Sequence, residues 1–142
     1  MIMVRVNIIN PKYLADQHLV AEYNEILMLV AYIKKYPSLS NIPIKYCLGK
    51  GHMKFFKNKV LYLAKRHETL KKEMNKRVFI ATKKIKLSDF RLNNKKDWKA
   101  CSEDKEVIKK RLIEKLKLKP EFYRHYGTKK SLKFFLDLVR QS

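Results

Sequence analysis

Apolar residues recur along the chain at helical rather than alternating spacing. Leu19, Tyr23, Ile26, Val30 and Ile33 fall three or four apart and predict a helix from about Pro11 or Asp16 to about Lys34. His18, Glu22 and Glu25 share another of its faces. No residue from Ile26 to Ile33 is charged, and a helix that is apolar all round is normally enclosed by other elements. The first helix is therefore expected to plug into the core, with its early polar face opening onto a site. Upstream, Val4 to Ile9 reads as an extended or coiled arm. Asn10-Pro11 reads as a turn or helix start, because proline fits the first helical position.

Tyr36-Pro37-Ser38 ends this helix, and a loop continues to about Gly51. A second helix is predicted over roughly His52 to Arg77, with the stripe Phe56, Val60, Leu63, His67, Leu70 and Met74. His67 lies in that stripe and reads as a packed core residue. His52 and His125 read as a helix-start and a loop residue. Residues 78–100 are lysine-rich and read as mostly loop. A third helix starts near Ser102, a candidate N-cap, with Glu103 and Asp104 suiting the helix dipole, and ends before Pro120. Residues 120–127 form an aromatic and basic loop, and Lys129 to Val139 predicts a short amphipathic helix. Strand signals are weak and there are no repeats. The expected fold is mainly α: a single compact domain over residues 1–142, with three principal helices, long loops and a short extra C-terminal helix.

Charge changes the picture. The 142 residues carry 34 Lys and Arg against 13 Asp and Glu, a net charge of +21. Small domains usually carry roughly 2–8. Such a charge repels itself unless a polyanion offsets it. Nucleic acid is the leading partner class, and an anionic membrane surface the second. The run Ile26 to Ile33 is too short to span a bilayer, and no signal peptide is expected behind Met1-Ile2-Met3. Cys47 and Cys101 are single and distant, which argues against a zinc ribbon or disulfide scaffold and for a reducing, intracellular setting; with nucleic acid as the leading partner class, a cytoplasmic, nucleic-acid-associated protein is expected. Three glycines and no Walker or Rossmann fingerprint remove most phosphate-loop chemistries.

Several groups of residues could carry chemistry. Phe122, Tyr123 and Tyr126 interleave with Arg124 and His125, which suits base stacking beside phosphate contact; one or two of the three aromatics are expected in the core instead. Arg111 and Lys115 lie four apart on one helix face, where like charges repel unless an anion sits between them; a solvated pair fits as well. His18, Glu22 and Glu25 lack the further ligands that a closed metal site needs, and no metal is expected. Glu25 stands where the polar face meets the core. A carboxylate there suits acid–base work or stabilisation of positive charge, with a surface glutamate as the bland alternative.

Longer runs carry a resemblance. Val4-Arg5-Val6-Asn7, then Leu14-Ala15-Asp16-Gln17-His18-Leu19-Val20-Ala21-Glu22-Tyr23 and Glu25, resemble the start of the pyrimidine-dimer DNA glycosylases, the dimer-specific endonuclease V type of phages and an algal virus. Leu48-Gly49-Lys50-Gly51-His52-Met53-Lys54-Phe55-Phe56 resembles that family's second block. Arg111, Lys115, Pro120 and Tyr123-Arg124-His125-Tyr126-Gly127 resemble its C-terminal block. The family-like core spans residues 4–127; residues 78–100 match poorly, and 128–142 form a C-terminal extension.

The resemblance implies a mainly α enzyme that cleaves the glycosidic bond of a pyrimidine dimer and then the abasic strand by β-elimination, acting as a monomer on lesion-containing double-stranded DNA without metal or organic cofactor. It implies that the α-amine of a processed N-terminal residue is the nucleophile, which falls on Val4, and that Glu25 is the essential carboxylate. Nearby cations are expected to favour ionised Glu25. It implies DNA contacts at Arg5, Gln17, His18, Arg111, Lys115, Tyr123 and Arg124, with Gln17 and His18 alternatively supporting the site only. Translation from Met3 and removal of that Met would expose Val4, so Met1-Ile2 is expected to be a start-site misassignment. Asn24 and Met28 stand where the family pattern has arginines, and Phe122 where it has tryptophan. The first two leave open an abasic lyase or another-lesion glycosylase on the same scaffold. A non-catalytic nucleic-acid binder is the other alternative.

Overall fold

A computed structural model describes residues 5–142. The chain is mainly α. Five helices, α1 (Asp16–Lys35), α2 (His52–Phe55), α3 (Val60–Lys76), α4 (Ser102–Leu118) and α5 (Leu132–Gln141), accompany a two-residue hairpin of β1 (Arg124–His125) and β2 (Thr128–Lys129).

The apolar stripe of the first helix is buried as its spacing predicts, but Met28 and Ala31 are exposed. Contrary to expectation, the uncharged run over 26–33 is therefore not enclosed on every side: only the face toward α3 is covered. Leu19, Ile26, Leu29 and Ile33 are fully buried, and α1 packs lengthwise on Leu63 and Leu70 of α3. It begins at Asp16, not Pro11. Pro11–Tyr13 forms a separate single turn of 3-10 helix, capped by the Asn10 side chain accepting from the Lys12 N–H at 3.1 Å. The break lets Arg77 reach in from the end of α3 and donate to the Leu14, Pro11 and Lys12 carbonyls.

The predicted single helix over 52–77 is two helices. The backbone tightens after Phe55, and the Asn58 carbonyl accepts from the Lys96 N–H at 3.0 Å instead of a helical partner. Asn94, buried, donates its side-chain amide to the Lys57 and Pro37 carbonyls at 2.8 and 3.1 Å. The lysine-rich segment 78–100 is thus loop with two single 3-10 turns, as expected, and it is also the wedge that splits the helix.

Residues 5–9 run extended into the core, with Val6 and Ile9 buried, but pair with no strand among the described residues. Ile8 sits at φ +49°, so the chain turns sharply between Asn7 and Ile9. The third helix is capped by Cys101 rather than Ser102: the Asp104 carboxylate accepts the Cys101 N–H at 2.9 Å. The extension after Gly127 forms α5, which buries Phe135 and Val139 against α4. Tyr126 and Gly127, at φ +52° and +76°, form the primed turn that matches hairpin twist.

Candidate active site

The N-terminal arm, the outward face of α1, the loop into α2, and the α4–β1 region enclose a cleft of about 750 Å³. One face of α1 supplies His18, Ala21 and Glu25, with Gln17 at its edge. The α2 start supplies Leu48, Gly49 and His52. From the far side, α4 supplies Arg111 and Lys115, and the segment after it supplies Lys119, Phe122 and Tyr123; Arg5 enters from the arm.

Among the described residues, Glu25 is the only carboxylate lining this cleft. Its Oε1 accepts the backbone N–H of Arg5 at 3.1 Å. Burial raises its pKa above the ordinary carboxylate value. The Arg5 charge and N–H bond pull the other way, and Glu22 adds to the rise. The expectation that neighbouring cations dominate is therefore corrected: desolvation wins, because the cations line the open side of the cleft while the carboxylate is set back against the core.

Glu22, one turn earlier, has a different fate. It is fully buried and held by Arg66 of α3 through Nε at 2.7 Å and Nη2 at 3.0 Å. It is turned away from the polar face that helical spacing assigns to His18, Glu22 and Glu25, toward Arg66. Among the described residues no group of three or more His, Cys, Asp or Glu side chains could hold a metal ion.

The resemblance-derived DNA contacts divide. Arg5, His18, Arg111, Lys115 and Tyr123 come together around the cleft. His18 is buried, tilted 4.7 Å from the Tyr123 ring, and its pKa is lowered to about 3 by burial and by Arg5 and Lys115. It is a neutral imidazole at any ordinary pH, so it offers hydrogen bonds and an aromatic face but no charge. Gln17 lines the cleft, yet its amide donates to the Phe122 carbonyl and accepts from the Arg124 N–H, both at 3.0 Å. It ties the C-terminal block to α1. Arg124 is the exception. Its side chain leaves the cleft and borders a neighbouring apolar hollow with Val20, Ala21 and Phe79, because the hairpin turn directs it there and its Nη1 donates to the Gly127 carbonyl at 3.3 Å. Val4 lies outside the described residues.

Of the three aromatics, Tyr123 is buried, while Phe122 and Tyr126 are exposed. Phe122 stands at the mouth with Lys119 Nζ over its ring at 5.1 Å. Asn24 and Met28 are solvent-facing on α1, one on each side of Glu25 in the chain. Sequence reasoning passed over His52 and Tyr46. His52 is buried in the cleft wall, and Tyr46 stands edge-on beside it. For His52 the signal was the family-like block from Leu48 to Phe56, which marks a site without saying which residue serves it; Tyr46 lies outside that block and carried no signal.

Four cations (Arg5, Arg111, Lys115 and Lys119) facing one carboxylate across an open cleft define a protein that acts on a polyanion. No helix among the described residues is long and apolar enough to cross a membrane. A family model for pyrimidine dimer DNA glycosylase matches residues 3–87, and the chain belongs to that family. Membership supports a DNA glycosylase function on pyrimidine dimers, with DNA as substrate. The match holds Arg5, Gln17, His18, Glu25 and His52; Arg111, Lys115 and Tyr123 reach the same cleft from outside it.

Proposed function

We propose that the protein is a pyrimidine-dimer DNA N-glycosylase with abasic-site lyase activity, working as a monomer on duplex DNA through the α-amine of Val4. A chain-terminal amine has a pKa of about 7.7–8.0, so a useful fraction is neutral and nucleophilic near neutral pH. Its lone pair attacks the sugar C1′. The glycosidic C–N bond breaks and its electron pair leaves with the base. Loss of the amine proton and opening of the sugar ring, with the C1′–O4′ electrons moving to oxygen, give a C1′=N iminium. Glu25 stabilises the positive sugar, then takes the C2′ proton. The C2′–H electrons form a C1′=C2′ bond as the iminium electrons move onto nitrogen; the nitrogen lone pair then restores C1′=N, a C2′=C3′ bond forms, and the C3′–O bond breaks with its electrons leaving on the phosphate. Water releases the enzyme.

The supporting observation is the hydrogen bond from the Arg5 N–H to Glu25 at 3.1 Å. The Arg5 nitrogen is three bonds from the nitrogen of residue 4, and adjacent Cα atoms are about 3.8 Å apart, so an amine on residue 4 is within reach of Glu25. A carboxyl with its pKa raised by burial is suited to proton transfer near neutral pH. Arg5, Arg111, Lys115 and Lys119 would hold phosphates, and Phe122 and Tyr123 would contact bases or sugars.

Borohydride trapping tests this. Protein expressed from Met3 is mixed with ultraviolet-irradiated duplex and, separately, with abasic duplex. A covalent adduct on Val4 with both is expected, and Glu25→Gln should lower strand cleavage by roughly 10²–10⁴-fold while DNA binding persists. An adduct with the abasic duplex alone would favour the second reading, an abasic lyase, to which neutral Asn24 and Met28 point. Salt-sensitive binding with no adduct would indicate a non-catalytic binder.

A further inference from the structure

The arm that carries Arg5 is held by side chains rather than by a sheet. The Val6 N–H donates to His52 Nε2 at 2.8 Å, and the Val6 carbonyl accepts from the Tyr46 hydroxyl at 2.8 Å. The other ring nitrogen of His52, Nδ1, lies 2.7 Å from the Cys47 carbonyl. These partners fix the tautomer. A carbonyl only accepts, so Nδ1 carries the hydrogen; an amide N–H only donates, so Nε2 presents its lone pair. His52 is 2% exposed and Tyr46 5%, so neither bond is exchanged freely with water. Tyr46 also stands edge-on to the His52 ring at 5.4 Å, which limits how that ring can turn.

The same arm bends at Ile8, a β-branched residue at φ +49°. Such a conformation is strained for a β-branched residue and persists only where the surroundings over-determine it. They do so here on both sides of the bend. Arg66 donates to the Ile9 carbonyl, and the clamp of His52 and Tyr46 holds Val6. Beyond the clamp, the Arg5 N–H meets Glu25. Four polar groups of the arm, the Arg5 N–H, the Val6 N–H, the Val6 carbonyl and the Ile9 carbonyl, are thus fixed by side chains from α1, α2, the loop before α2 and α3.

We infer that His52 and Tyr46 are positioning residues for the reaction: by clamping both polar groups of Val6, they set where the nitrogen two residues upstream sits relative to Glu25. This rests on the amine-nucleophile reading above. Neither residue touches the reacting atoms in this role. Their effect falls on the alignment of the amine, where an error of about 1 Å can cost roughly 10²-fold in rate. The phosphate contacts from Arg111, Lys115 and Lys119 are not involved and Arg5 alone shares the arm, so the inference predicts a loss of rate far larger than any loss of affinity.

The test is single-turnover adduct formation on abasic duplex, measured beside the equilibrium affinity for that duplex and thermal unfolding. His52→Ala should slow trapping by about 30–100-fold with affinity within about twofold of wild type. His52→Gln keeps an acceptor for the Val6 N–H and should recover most of that loss. Tyr46→Phe keeps the ring, loses the bond to the Val6 carbonyl, and should slow trapping by about three- to tenfold. Trapping at the wild-type rate in both His52→Ala and Tyr46→Phe would overturn the inference. So would equal losses of rate and affinity that follow the folded fraction and are not recovered by His52→Gln. Should His52→Ala fail to fold, Tyr46→Phe and His52→Gln decide. Absence of any adduct with wild-type protein would remove the parent reading, and this one with it, before any variant is compared.

Discussion

The buried scaffold (the floor) and the residues that line the cleft (the mouth) use the same residue types in opposite ways. On the floor, Arg66 holds Glu22 with two nitrogens and the Ile9 carbonyl with a third. Arg77 likewise holds Asp16 at 3.0 Å, Glu73 at 2.8 Å and three backbone carbonyls. Asp16 in turn accepts from the Tyr126 and Gly127 N–H groups, so one carboxylate anchors the C-terminal hairpin to α1. At the mouth, Glu25 pairs with no cationic side chain among the described residues, and Arg111 meets only its helical neighbour Glu114 at 3.2 Å. Buried charges must find partners within the protein, since an unpaired one costs several kcal/mol. Charges left over on a concave, solvated surface are available to a substrate. The comparison separates scaffold from site more sharply than residue type does.

The floor should break first. Arg66→Ala leaves Glu22 buried without its partner and orphans the Ile9 carbonyl, so a loss of about 3–5 kcal/mol is expected. That is a large part of the roughly 5–15 kcal/mol that holds an ordinary domain together. Replacing both members, Arg66→Met with Glu22→Leu, should restore most of it, because no unpaired charge remains. Urea unfolding midpoints at one pH measure both. A near-neutral Arg66→Ala would mean the floor is no more committed than the mouth.

The mouth should respond in binding and not in stability. Arg111→Ala and Lys115→Ala are each expected to shift unfolding by no more than about 0.5 kcal/mol. Each phosphate contact removed should reduce the slope of log affinity against log salt by about 0.9. Anisotropy titrations of duplex DNA across a salt series read this directly. An unchanged slope in both variants would place the phosphate path elsewhere on this cationic surface.

How much of this was legible beforehand follows the range of each cause. The helix over 16–35 was legible because Leu19, Tyr23, Ile26, Val30 and Ile33 repeat a local period. The break between α2 and α3 was not, because its causes are Asn94 and Lys96, over thirty residues downstream. Glu22 and Glu25 shared one face in the pattern, and Glu25 stood out only as the residue nearest the apolar run; that Glu22 is a scaffold residue depends on Arg66, on another helix. His52 looked like a helix start, and it is one, but its use depends on the Val6 N–H arriving from the arm. Arg124 sat within a family-like block, and the turn at Tyr126-Gly127 directs it out of the cleft. The resemblance located the site on α1 that periodicity could not have named, and the family match over residues 3–87 bears out that membership.

The smallest effect bears on the comparison most directly, because it reverses sign between two carboxylates three residues apart. Burial raises the Glu25 pKa, against the pull of Arg5, above the value an unfolded chain would give it. Between those two values the native state binds more protons than the unfolded one, so stability falls as pH rises through the folded pKa. At neutral pH, ionised Glu25 therefore weakens the fold. Glu25→Gln removes the charge and keeps an oxygen to accept the Arg5 N–H. It should unfold at a slightly higher temperature than wild type at pH 7, with the gap closing below about pH 4, where the carboxyl is protonated in both states. Glu22→Gln should do the opposite at pH 7, since it leaves Arg66 buried without a counter-charge. Thermal unfolding of the two variants and wild type from pH 4 to 8 checks both signs. A destabilised Glu25→Gln at pH 7 would show that Glu25 is held as scaffold, like Glu22, and would take away the strain that a carboxylate kept for chemistry is expected to carry.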